Sequence, residues 1–193
     1  MKVLGYGEDF LTFWAVTKKL PDILRQLGDE TSLENCVVIY RPSFGRKGGK
    51  GSSQFGELDS IIITPETAYL VEAKWDGSEA RWKNNVLELD HVQVQRHKIF
   101  EWYHKNWEGE DWNDFTKNHT EEFEHMFGKK VAPTGSLLSR NLLTIMKRTH
   151  GKKLVNVLLF LYHKHKTELP EIKTAFTKVL IEFKYSDGEY AEI

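Results

Sequence analysis

At 193 residues, 40% hydrophobic and 28% charged, the chain has ordinary globular composition and the length for one domain with an added element. Its 27 basic and 28 acidic residues leave a formal net charge of −1, which excludes a protein that coats nucleic acid by bulk electrostatics. The run "LVNVLLFLY" (154–162) is too short to span a bilayer, and "MKVLGYGEDF" lacks the apolar core of a signal peptide, so a cytoplasmic protein with no membrane contact is expected.

"GEDFLTFWAVTKKL" (7–20) has acidic residues in its first turn and Phe10, Phe13, Trp14 and Leu20 at helical spacing, and Pro21 breaks or restarts that helix. "CVVIYRP" (36–42) is a β-branched run suited to a strand. Its Cys36, the only cysteine, has no disulfide partner in the chain and reads as small core filler. The glycine-rich loop that follows carries Arg46, Lys47 and Lys50, a local basic cluster able to hold phosphates in an otherwise neutral chain. It is not a Walker loop, because Gly51 stands where that motif needs Ser or Thr. A second basic cluster is "KRTHGKK" (147–153).

A hairpin is predicted over 57–63 and 67–75, then a helix over 90–106 with Val92, Ile99 and Tyr103 on its apolar stripe. Residues 107–135 read as acidic and irregular with a short helix near "EEFEHMF", and 136–148 as a helix capped by Ser136. "LVNVLLFLYH" lacks alternation and reads as a strand buried on both faces. "LPEIKTAFTKVLIEFKY" (169–185) is expected to be a final helix, with Pro170 near its start and Ile172, Phe176, Val179 and Phe183 facing inward. The expected fold is α/β, a mixed sheet flanked by helices in the order α-β-β-β-α, an insertion at about 106–150, then β-α.

The hairpin carries charge where apolar residues are the norm. A turn centred between Pro65 and Glu66 pairs 63 with 68 and 61 with 70, and so sets Asp59 opposite Glu72 with β-carbons roughly 4.5–5.5 Å apart. Alternation puts Lys74 on the Glu72 face about 7 Å further along, while Val71, Ala73 and Trp75 face the core. Two facing carboxylates repel unless a cation lies between them, and a hard ion such as Mg²⁺ suits carboxylate oxygens, a backbone carbonyl and water. Such an ion acidifies bound water, and Lys74 is placed to orient that water or offset phosphate charge. A plain cross-strand Asp–Lys or Glu–Lys arrangement at a sheet edge is the competing reading.

At these residues the chain resembles the PD-(D/E)xK nuclease superfamily, whose restriction-endonuclease-like core places an aspartate on one strand and Glu-x-Lys on the next. Asp59 and Glu72-Ala73-Lys74 match, thirteen residues apart, and "GELDSIII…LVEAKW" is similar to the pattern of small resolvase-like, archaeal Holliday-junction resolvase and Mrr-type domains. Leu58 stands in place of the motif's proline, and 106–150 has no counterpart in the pattern. The resemblance implies a Mg²⁺- or Mn²⁺-dependent endonuclease acting on DNA. It implies metal ligation by Asp59, Glu72 and the Ala73 carbonyl, a further carboxylate from Glu8 in the first helix, and Lys74 beside the attacking water. It also implies a polar contribution from the helix after the hairpin, for which Gln95 is the candidate, with Arg96 beside it as a phosphate contact. Two-strand cutting would call for a homodimer. The alternative is a catalytically silent nuclease-fold module that binds nucleic acid or a protein. A zinc site among the histidines of "HKH" (163–165) or "NHTEEFEH" (118–125) is disfavoured without cysteine partners or an HExxH pattern. Trp102, Trp107 and Trp112 are weighed as base-stacking residues against anchors for the insertion.

Overall fold

The computed structural model describes residues 2–45, 51–77, 85–163, 168–185 and 190–192. Its centre is a five-stranded mixed sheet flanked by five α-helices. Helices α1 (Gly7–Lys18) and α2 (Leu20–Gln26) come first, α2 restarting at Pro21 as that residue's fixed φ favours. Strand β2 (Val37–Tyr40) pairs antiparallel with β5 (Ser60–Ile63), and β5 pairs antiparallel with β6 (Thr67–Trp75). After α3 (His91–Asn106), α4 (Trp112–Phe127) and α5 (Leu137–Thr149), strand β8 (Lys153–His163) enters parallel to β6, and β10 (Thr177–Phe183) runs parallel to β8. Three short ribbons complete the fold. They are β1 (Leu4–Gly5) with β11 (Ala191–Glu192), β3 (Ser43–Phe44) with β4 (Gly56–Glu57), and β7 (Val86–Glu88) with β9 (Glu171–Lys173).

The sheet separates two apolar layers. Leu11, Ala15, Val16, Ile23 and Leu24 of α1 and α2 pack on Val71, Ala73, Val157, Leu159 and Ile181, with Cys36 partly buried at the margin. The opposite face carries α3, α4 and α5, whose Phe100, Tyr103, Phe115, Phe123, Leu142 and Met146 cover Ile61, Ile63 and Leu70. Strand β8 is apolar towards both layers, as its lack of alternation requires. Among the described residues, no helix is long and apolar enough to cross a membrane.

Two expectations are corrected. The segment 107–135 holds a sixteen-residue helix, α4, opened by the Asp111 side chain accepting the Asn113 N–H and closed by Gly128 at φ 62°. Its Trp112 joins Trp102 and Trp107 in the core at 5–6% exposure, so these tryptophans anchor the segment and present no ring to a base. The final helix is instead strand. Ile172 and Phe176 pack on the α3 side of the sheet while Val179 and Phe183 pack on the α1 side, so the apparent helical stripe is two strand faces. Val179, Ile181 and Phe183 follow the two-residue period of β10. The Gln26 amide covers part of this edge strand, donating to Leu180 O at 2.8 Å and accepting from Leu180 N at 2.9 Å.

Candidate active site

The β5–β6 ladder pairs Ile63 with Ala68, Ile61 with Leu70 and Ser60 with Val71, the register expected from the Pro65–Glu66 turn. It ends at Ser60, and Asp59 N still reaches Val71 O at 3.2 Å, while Arg41, in the left-handed region at φ 48°, turns its N–H to Asp59 O. Past this point, among the described residues, β6 has no paired strand on the β5 side. The Asp59 carboxylate fills the gap and accepts the Ala73 N–H at 2.7 Å. The unpaired end of the hairpin therefore becomes a polar notch walled by Asp59, Glu72, Ala73 and Lys74.

Lys74 sits inside this notch. Its Nζ donates to Ala73 O at 2.5 Å and to Glu72 Oε1 at 3.1 Å, and lies 3.6 Å from Glu8 Oε1 at the start of α1. The four groups inferred from the hairpin and the first helix thus converge. Burial pulls the Lys74 ammonium downward, but the charges of Glu72, Glu8 and Asp59 outweigh it and raise its pKa, so Lys74 is a fixed cation. Burial and the Glu72 charge push Asp59 up to about 7. Glu72 itself, 1% exposed, is penalised by burial yet held below the usual carboxylate range by His97, Lys74 and Arg96.

Helix α3 supplies most of what surrounds Glu72. Gln93 Nε2 donates to Glu72 Oε1 at 2.5 Å, His97 Nε2 faces Glu72 Oε2 at 3.7 Å, and Arg96 lies 4.0 Å from the same oxygen while bonding Glu57 O. His97 is fully buried and its Nδ1 meets Asn156 Oδ1 at 2.8 Å. Asn156 Nδ2 in turn donates to Glu101 at 2.6 Å, so Asn156 Oδ1 is the acceptor and His97 Nδ1 the donor. Gln93, His97, Asn156 and Glu101 were absent from the sequence reading. Gln95 lines an open groove with Val94, Lys98, Trp102 and Met126, and Gln93, one half-turn earlier, makes the contact expected of it. Arg96 has a side chain only 19% exposed and belongs to the Glu72 cluster. Arg46, Lys47 and Lys50 lie outside the described residues, as does His165 of the "HKH" stretch. Glu57 stands at the rim, paired with Arg41 at 3.0 Å, and Arg41 also bonds Asp9.

Among the described residues, no three His, Cys, Asp or Glu side chains are grouped to hold a metal ion. The oxygens of Glu72, Glu8 and the Ala73 carbonyl are nevertheless of the kind a hard cation takes. The Lys74 ammonium already occupies a position among oxygens of Glu72, Ala73 and Glu8, while the second Glu72 oxygen, Oε2, faces His97 and Arg96. No family model, curated protein or solved structure matches the chain.

Proposed function

We propose that this protein is a metal-dependent endonuclease of the restriction-endonuclease-like class, hydrolysing phosphodiester bonds in DNA. One observation carries the reading: Asp59 from the bend before β5, Glu72 and Lys74 from β6, and Glu8 from α1 meet at the open end of one hairpin. The order α1, β2, β5, β6, α3, β8, with an antiparallel β2–β5–β6 unit and β8 parallel to β6, supports the same class.

Asp59, Glu72, the Ala73 carbonyl and Glu8 would hold Mg²⁺ or Mn²⁺. When bound, the ion acidifies a coordinated water and stabilises charge on the phosphate under attack. Lys74, permanently protonated, orients that water and neutralises phosphate oxygen; its raised pKa makes it a poor base. In hydrolysis the water oxygen bonds to phosphorus as one ester bond breaks. The water's proton passes to a carboxylate of the cluster, and the departing oxygen takes one from solvent. His97 and Gln93 fix the Glu72 carboxylate so that it need not reorganise. The dense donor set on Glu72 also suits a silent module that binds without cutting, and one assay separates the two. Cleavage of linear, branched and single-stranded DNA in Mn²⁺ is compared for wild type, Asp59→Ala and Lys74→Ala. Metal-dependent cutting lost in both variants upholds the reading, and cutting that persists in both removes this site from it.

A further inference from the structure

With Trp102, Trp107 and Trp112 buried, two exposed tyrosines near the start of α1 stand out among the described residues. Ribbon β1–β11 pairs Leu4 with Glu192 and Gly5 with Ala191, and one more step of that register sets Tyr6 opposite Tyr190. Their ring centroids lie 6.3 Å apart with planes inclined 60°, and the residues are 55% and 51% exposed. Trp75, 9% exposed, meets Tyr6 at 5.5 Å and 88°, bracing that ring from the sheet side.

This pair is tied to the charged cluster through the start of α1. Trp75 follows Lys74 on the opposite face of β6, whereas Tyr6 precedes Glu8 by two residues, a Cα separation of at most about 7 Å. Glu8 and Lys74 are themselves 3.6 Å apart. Half-exposed aromatic rings next to a phosphodiester site bind a nucleobase by its π-face, which a stacked duplex offers only at its terminal pairs. A chain of net charge −1 gains little from counterion release, whereas stacking needs no charge.

We propose that Tyr6 and Tyr190 form a stacking platform for an unpaired nucleobase beside the scissile phosphate, so that the preferred substrate is single-stranded or carries an unpaired end or flap. The proposal rests on the phosphodiesterase reading above. The test is fluorescence anisotropy in EDTA with a labelled single-stranded oligonucleotide and its duplex, using wild type, Tyr6→Ala, Tyr190→Ala and the two Tyr→Phe variants. Wild type is expected to prefer the single strand. Each alanine variant is expected to lose about 5- to 150-fold in single-strand affinity, and each phenylalanine variant about twofold at most. Single-strand binding unchanged in the alanine variants overturns the platform. So does an equal loss in the phenylalanine variants, or a wild-type dimer in gel filtration that Tyr6→Ala splits, which would make the patch an interface between copies. Cleavage in Mn²⁺ keeps the two ideas apart. Cutting without ring-dependent binding removes the platform alone, and ring-dependent binding without cutting removes the nuclease reading alone.

Discussion

Gln93 bonds Glu72 and caps its own helix with the same side chain. Its Nε2 donates to Glu72 Oε1 at 2.5 Å, while its Oε1 accepts the Asp90 N–H at 2.9 Å, closing a capping box at the start of α3. The orientation of the candidate metal ligand is therefore coupled to the first turn of the helix that packs over it. Gln93→Ala is expected to cost about 1–2 kcal/mol, from the lost cap and the freed carboxylate oxygen. That corresponds to a Tm lowered by about 2–8 °C for a chain of this size, measured by thermal unfolding. An unchanged Tm would show that Gln93 holds neither end.

His97 is expected to be costlier. The ring is fully buried and meets Phe176 at 4.6 Å with planes tilted 47°, and its loss removes the donor of the partly buried Asn156 Oδ1. His97→Ala should destabilise by about 2–4 kcal/mol in urea unfolding. Because the two side chains share one hydrogen bond, His97→Ala and Asn156→Ala should not add. A double-mutant cycle is expected to return at least about 0.5 kcal/mol of coupling, and additivity would dissolve the proposed chain from Glu101 to Glu72.

The acidity of Asp59 makes a pH prediction with a definite sign. Burial and the Glu72 charge raise Asp59 from 3.8 to about 7 in the folded protein. Between those values the folded state holds more protons than the unfolded state, so stability falls as pH rises through the window. Glu72 is shifted downward from 4.5, so its contribution, lost as pH falls from about 4.5, overlaps only the acid end of that window. Asp59→Asn keeps an oxygen for the Ala73 N–H and removes the titration. Its stability advantage over wild type should therefore grow from about pH 4 to pH 7, then level off. Mn²⁺ should suppress that growth by favouring the ionised carboxylate. A constant difference across the range would contradict the buried pair.

Lys74 can be separated into two roles. As the cation near the phosphate it should be needed for turnover, and Lys74→Met is expected to lower cleavage by about 100- to 1000-fold. As an ammonium seated among the oxygens of Glu72, Ala73 and Glu8, it competes with a metal for the same donors. Lys74→Met should therefore bind Mn²⁺ at least as tightly as wild type in calorimetry. Weaker binding would mean that Lys74 builds the metal site and does not compete for it.

The hairpin was readable from local chemistry. A proline turn of fixed length sets the register as far as Ser60 and Val71; the ladder stops short of the expected Asp59–Glu72 pair, and the Asp59 carboxylate reaches the Ala73 N–H instead. Glu8 followed from resemblance, and its arrival within 3.6 Å of Lys74 depends on α1 packing across the sheet, which no local pattern encodes. His97 left no sequence signal because its partners, Asn156 and Glu72, lie far along the chain. Gln93 did leave one, as the fourth residue of Asp90-x-x-Gln at a helix start. The last strand was misread because Ile172, Phe176, Val179 and Phe183 happen to fall three or four residues apart. The evidence for strand lay in Thr177, Val179, Ile181 and Phe183, which alternate and are mostly β-branched.

The amide of Gln26 mimics a neighbouring peptide group at the middle of β10, satisfying Leu180 in both directions. A foreign strand approaching that border would have to evict it first. At the opposite border, among the described residues, β2 pairs with β5 alone and presents Val37 at 42% exposure. Among the described residues, growth of this sheet is thus biased, and strand addition meets less obstruction at Val37–Tyr40 than at Leu180.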